Sequence, residues 1–73
     1  MPLVNVRTVK GLLNAQQKEQ LQLRLTDLMV EIEGRGNAQF RPYVWVLIEE
    51  LDASNWMLGG LHPTAANAAN IQG

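Results

Sequence analysis

The side chains able to carry chemistry are few. His62, next to Pro63, is the only histidine, and a single imidazole makes no metal site, so it reads as an exposed loop residue. There is no cysteine, which removes thiolate nucleophiles, thiolate zinc sites and disulfides together. Glu49 and Glu50 are adjacent in a strand-like run, so they point to opposite faces and form no acid/base pair. Gly34-x-Gly36 follows a helical pattern rather than a strand, the wrong context for a dinucleotide fingerprint, and there is no nucleophilic triad or phosphate loop. The arginines remain, each able to pair two oxygens of an anion at once through its planar fork. Arg41, at the mouth of an apolar run, is the first candidate, with Arg7 and Lys10 behind it. Trp45 can donate an indole N–H and Tyr43 a hydroxyl, although packing is the favoured reading of both.

The charge balance narrows the partners. Six basic and seven acidic residues give a net charge of -1, with neither sign clustered, so there is no polybasic footprint for nucleic acid. No stretch approaches the ~18 apolar residues of a membrane span, and no basic region with an apolar signal core opens the chain. The expectation is a cytoplasmic protein with no nucleic-acid or membrane partner. Of the 73 residues 47% are hydrophobic, which argues for a folded single domain over residues 1–73, with 61–73 as a C-terminal arm. A chain this short buries only ~60% of the surface it exposes when unfolded. Lacking disulfides, it is expected to gain the missing stability by self-association.

The elements that must position these residues are legible from pattern. Leu3–Val9 is rich in β-branched residues and stops at Lys10-Gly11, which predicts a strand. Asn14 with Gln17 three residues later resembles a capping box, and Leu21, Leu25, Leu28, Met29 and Ile32 recur at helical spacing, predicting a helix from near Ala15 to near Glu33. Gly34 and Gly36 are expected to supply the positive backbone angles that end it. After Pro42, residues 43–51 read as a second strand, apolar on both faces: Tyr43, Trp45 and Leu47 alternate with Val44, Val46 and Ile48. Strand, helix, strand is a right-handed βαβ unit with parallel strands, an α/β fold. One helix covers one face only, so the other face needs a second subunit. Residues 52–55 have turn composition, and Trp56-Met57-Leu58 before Gly59-Gly60 predicts a small hairpin or loop that docks on a neighbour.

Taken in order, Met1-Pro2, the strand ending in Gly11, the Gln16-Gln17-Lys18 helix opening, Val46-Leu47-Ile48-Glu49-Glu50-Leu51 and Asn55-Trp56-Met57-Leu58-Gly59-Gly60 resemble the tautomerase superfamily, small subunits of the 4-oxalocrotonate tautomerase type. The resemblance spans roughly residues 2–60. It implies a β-α-β subunit, two of which join into one four-stranded sheet, commonly as a hexamer of three dimers. It also implies a cofactor-independent isomerase: removal of Met1 leaves Pro2 with a free secondary amine that acts as general base and acid in keto-enol tautomerisation of a small 2-keto acid or 2-hydroxydienoate. An apolar pocket suits that role, because it disfavours the ammonium form and leaves free base near neutral pH. Leu3, Val9, Tyr43, Leu51, Trp56 and Leu58 fall at positions resembling the lining of the family's sites.

The chain departs from the family pattern at two arginines: Trp45 stands in the second strand where the family carries one, and Leu12 follows Gly11 where it carries another. Substrate-binding candidates are therefore Arg41, Trp45, Trp56, Tyr43, Leu3, Val9 and Leu58, with Pro2 catalytic and no metal. With Met1 in place the Pro2 nitrogen is a tertiary amide and cannot exchange a proton. Two other readings stay open: a catalytically silent oligomeric binding or scaffold protein of the same fold, and a related hydratase or dehalogenase activity.

Overall fold

Two parallel strands share one helix. A computed structural model describes residues 2–63, in the order β1 (Leu3–Val9), α1 (Ala15–Ile32), a 3-10 helix (Ala38–Tyr43), β2 (Trp45–Leu51) and a short 3-10 turn (Ala53–Asn55). β1 and β2 pair in parallel from Leu3 opposite Trp45 to Val9 opposite Leu51. The Trp45 N–H donates to the Pro2 carbonyl at 3.0 Å at one end, and Lys10 N–H to the Leu51 carbonyl at 2.8 Å at the other. Alternation then sorts the side chains: Val4, Val6, Thr8, Val46, Ile48 and Glu50 lie on one face, and Leu3, Asn5, Arg7, Val9, Trp45, Leu47, Glu49 and Leu51 on the other. α1 packs on β2 over the first face, with Leu21, Leu25 and Met29 half-buried.

The sequence starts α1 where the capping box lies. Asn14 Oδ1 accepts from Gln17 N–H at 2.8 Å, and Gln17 Oε1 accepts from Asn14 N–H at 2.9 Å, so two otherwise orphaned donors are satisfied reciprocally. The helix ends without a basic residue in its last turn, leaving backbone geometry to close it. Glu33 and Gly34 N–H groups both reach the Met29 carbonyl, and Gly36 N–H reaches that of Val30 at 2.9 Å. Arg35 (φ 53°) and Gly36 (φ 78°) adopt the left-handed conformation; Gly34 does not, contrary to expectation. Gly34 is needed for space instead. A Cβ there would stand 2.8 Å from the Phe40 ring and from the Val30 carbonyl oxygen.

The second strand is shorter than its apolar run. Tyr43 is the last residue of the 3-10 helix rather than the first of β2. Asn37 caps that helix by accepting from Gln39 N–H at 3.0 Å, and the fixed φ of Pro42 fits a helical turn. Val44 N–H closes the turn on the Arg41 carbonyl, and extended backbone follows. After β2, Leu58 and Leu61 exchange both backbone hydrogen bonds across Gly59 (φ 60°) and Gly60 (φ 94°), the tight hairpin with two left-handed residues that glycine pairs favour. Leu61 thus belongs to the hairpin; residues 64–73 of the expected arm lie outside the described residues.

The covered face carries one ion pair. Lys18, on the first turn of α1, holds Glu50 of β2, and the Gly11 backbone adds a hydrogen bond, so the loop between β1 and α1 is clipped to the sheet. The Lys18 hydrogen bond is the main cause that keeps the Glu50 carboxyl below its ordinary value of 4.5. A depressed carboxyl contributes stability that is present above the unfolded value and is lost as pH falls through the folded one. Chemical denaturation followed from neutral pH down through 4.5 is therefore expected to show a shallower acid loss for Glu50→Gln than for the parent. Equal slopes would assign the acid sensitivity to other groups.

Among the described residues no large side chain is fully buried, and both strands have an unpaired edge. The open face holds Leu3, Trp45 and Leu47 at 60%, 59% and 47% exposure. Leu28 and Ile32 are exposed on a shoulder of α1 in line with Leu21, beside a groove of about 430 Å³ formed by Leu13, Gln16, Gln17, Gln20, Leu21 and Arg24. Among the described residues no helix is long and apolar enough to cross a membrane.

Candidate active site

Pro2 immediately precedes β1, half-buried, with its carbonyl fixed by the Trp45 N–H. The parallel register places three sequence candidates at this end of the sheet. Leu3 and Trp45 are paired on the open face, and Tyr43, 54% exposed, ends the 3-10 helix two residues before Trp45. The β-branched alternation of β1 and the start of β2 bring this group together.

The other candidates lie elsewhere. Val9 and Leu51 are paired at the far end of the strands, about 20 Å from Leu3 along β1. Trp56 and Leu58 come after β2 in the chain, past the turn Ala53–Asn55 that follows its Leu51 end. The Trp56 indole N–H is buried with no acceptor among the described residues, and its carbonyl accepts from His62 Nδ1 at 2.6 Å. A buried donor left unpaired costs about 1–3 kcal/mol, a cost that an acceptor from a second chain would remove. Arg41 is turned to the helix layer, where its guanidinium holds Asp27 of α1 at 2.6 Å.

The open face also carries a polar cluster that sequence reasoning did not single out. Asn5 Nδ2 donates to Glu49 Oε1 at 2.6 Å, and Arg7 Nε lies 3.6 Å from the same oxygen. Arg7 stood out only as a cation; its pairing with Glu49 depends on the strand register, which sequence periodicity does not give. Glu49 and Glu50 do face opposite sides, the first toward Arg7 and the second toward Lys18. Among the described residues no group of three or more His, Asp or Glu side chains could hold a metal ion.

Comparison with known proteins agrees with this architecture. The sequence profile described as tautomerase enzyme matches residues 2–66. Probable tautomerase K2 of Dickeya dadantii (strain 3937) is 38% identical over 60 residues, covering 82% of this chain and 84% of that protein. The crystal structure of apo unfused 4-OT superposes with a TM-score of 0.69 at 31% identity, over 84% of this chain and 97% of the other. That of TomN, a 4-oxalocrotonate tautomerase homologue in the tomaymycin biosynthetic pathway, gives 0.72 at 25% identity, over 99% and 97%. The chain belongs to the tautomerase family, with the β-α-β subunit of the 4-oxalocrotonate tautomerase type.

Proposed function

We propose that this chain, once Met1 is removed, is a cofactor-independent tautomerase in which the Pro2 amine takes the hydroxyl proton of a small enol and returns a proton to carbon. The substrate would be the enol of a 2-keto acid or a 2-hydroxydienoate. The observation that carries the reading is the half-buried position of Pro2 at an apolar sheet end beside Leu3, Tyr43 and Trp45. Apolar neighbours disfavour the ammonium form, the direction that a proton-shuttling amine needs. For Arg41 to meet a substrate carboxylate it would exchange its pairing with Asp27, and an exposed pair of that kind is worth only about 0–1 kcal/mol.

The two separated groups of candidate residues support a site assembled from more than one subunit, with the Pro2 end of one chain completed by the Trp56 and Leu58 end of another. Open strand edges, the shoulder of α1 and the open face away from its Pro2 end supply surface for that assembly. Light scattering at micromolar concentration is expected to give a dimer or a larger assembly. The activity test uses protein whose intact mass shows loss of Met1: ultraviolet-monitored ketonisation of phenylenolpyruvate and of a 2-hydroxydienoate should outpace buffer. A stable monomer that accelerates neither reaction would sink this reading and favour a silent binding protein of the same fold.

A further inference from the structure

We infer that this site selects an enol with an aromatic or aliphatic body and a single carboxylate, and that Trp45 is the residue that reads it. The inference rests on the Pro2 reading above and adds the substrate class. Trp45 is joined to Pro2 through its backbone N–H at 3.0 Å, and its ring rises from the open face at the same sheet end, opposite Leu3 and followed on that face by Leu47. All three are about half exposed or more, so this end of the face offers apolar surface and an indole plane on which an unsaturated body can stack.

Charge is placed against a second carboxylate. Among the strand residues of the open face the one cation is Arg7, about 16 Å along β1 from Pro2, and it is already met by Glu49. Arg41 is committed to Asp27 on the helix layer, and Lys18 to Glu50 on the covered face. A monoanion can seat its apolar body on Trp45 and keep its carboxylate at the rim, either in solvent or against an exchanged Arg41. A dianion with carboxylates at both ends must press one of them onto Trp45 and Leu3, where only a neutral indole N–H or the Tyr43 hydroxyl, and no cation, could replace its water.

The test compares phenylenolpyruvate with 2-hydroxymuconate on protein verified to begin at Pro2. The expected kcat/KM is at least about tenfold higher for the aromatic monoacid. Trp45→Phe should keep that preference, and Trp45→Arg, which supplies a carboxylate fork in place of the stacking plane, should lower the ratio by about tenfold or more. Light scattering on each variant checks that assembly is retained. Equal or faster turnover of the dicarboxylate, or a ratio unmoved by Trp45→Arg, overturns the inference. If neither enol is turned over, the Pro2 reading falls and selectivity is decided by binding. Phenylpyruvate should then shift the Trp45 indole proton resonance at lower concentration than cis,cis-muconate; no shift, or the reverse order, overturns it.

Discussion

Protein that begins at Pro2 is expected to ketonise a small enol at least about a hundredfold faster than the Pro2→Ala variant, and protein that retains Met1 is expected to be inactive. The two losses have different physical origins. Alanine leaves a primary amine at the same backbone position, still able to take a proton but with altered basicity and without the ring that makes the amine secondary and holds its nitrogen rigidly at the sheet end. Retained methionine converts the Pro2 nitrogen into a planar amide whose lone pair is delocalised into the carbonyl. Activity of the mature form should fall as pH drops through the amine's pKa, because only the free base accepts the enol proton, and the Ala variant should show that limb at a different pH. Intact mass on each sample ties rate to terminus. Equal rates with and without Met1 would remove the amine from the mechanism while leaving the fold untouched.

Local chemistry made most of the fold legible. The β-branched run of Leu3–Val9, the Asn14–Gln17 capping box and the helical spacing of Leu21, Leu25 and Met29 each specify their element within a few residues of chain. Tyr43 was misplaced for a physical reason. Its ring favours strands and it continues an apolar run, yet Asn37 and Pro42 upstream already fix a 3-10 turn that closes on Val44. The tie between Arg41 and Asp27 spans 14 positions and two elements, so no periodicity announces it. The candidate site was legible as residue types and faces but not as a place. Periodicity says which face Leu3, Val9 and Leu51 share, whereas the parallel register says that Val9 and Leu51 stand at the opposite end from Pro2. The proposal that a second chain completes the site rests on that separation.

Gly34→Ala is expected to be the most costly single-methyl change in the chain, at about 1–3 kcal/mol, or roughly 5–20 °C in melting temperature at fixed protein concentration. The added Cβ would meet Phe40 Cδ2 and Cγ at 2.8 Å and the Val30 carbonyl oxygen at 2.8 Å. A ring can turn away, but the carbonyl belongs to the last turns of α1 and also accepts the hydrogen bond from Gly36 N–H. Relief therefore requires the Gly34 backbone to shift away from the Val30 carbonyl as well as Phe40 to move. Phe40 lies in the 3-10 helix that leads through Tyr43 and Val44 into Trp45, so loosening it unpins the strand end that faces Pro2. Gly36→Ala is the control: it has open space around it and a φ of 78°, so only the left-handed backbone is penalised, at about 1 kcal/mol. Pairing Gly34→Ala with Phe40→Ala should recover part of the loss expected from the two single changes, the coupling of residues in direct contact. Thermal melts in which Gly34→Ala costs no more than Gly36→Ala would show that the helix end relaxes freely, and that Phe40 does not hold Trp45 at the Pro2 end.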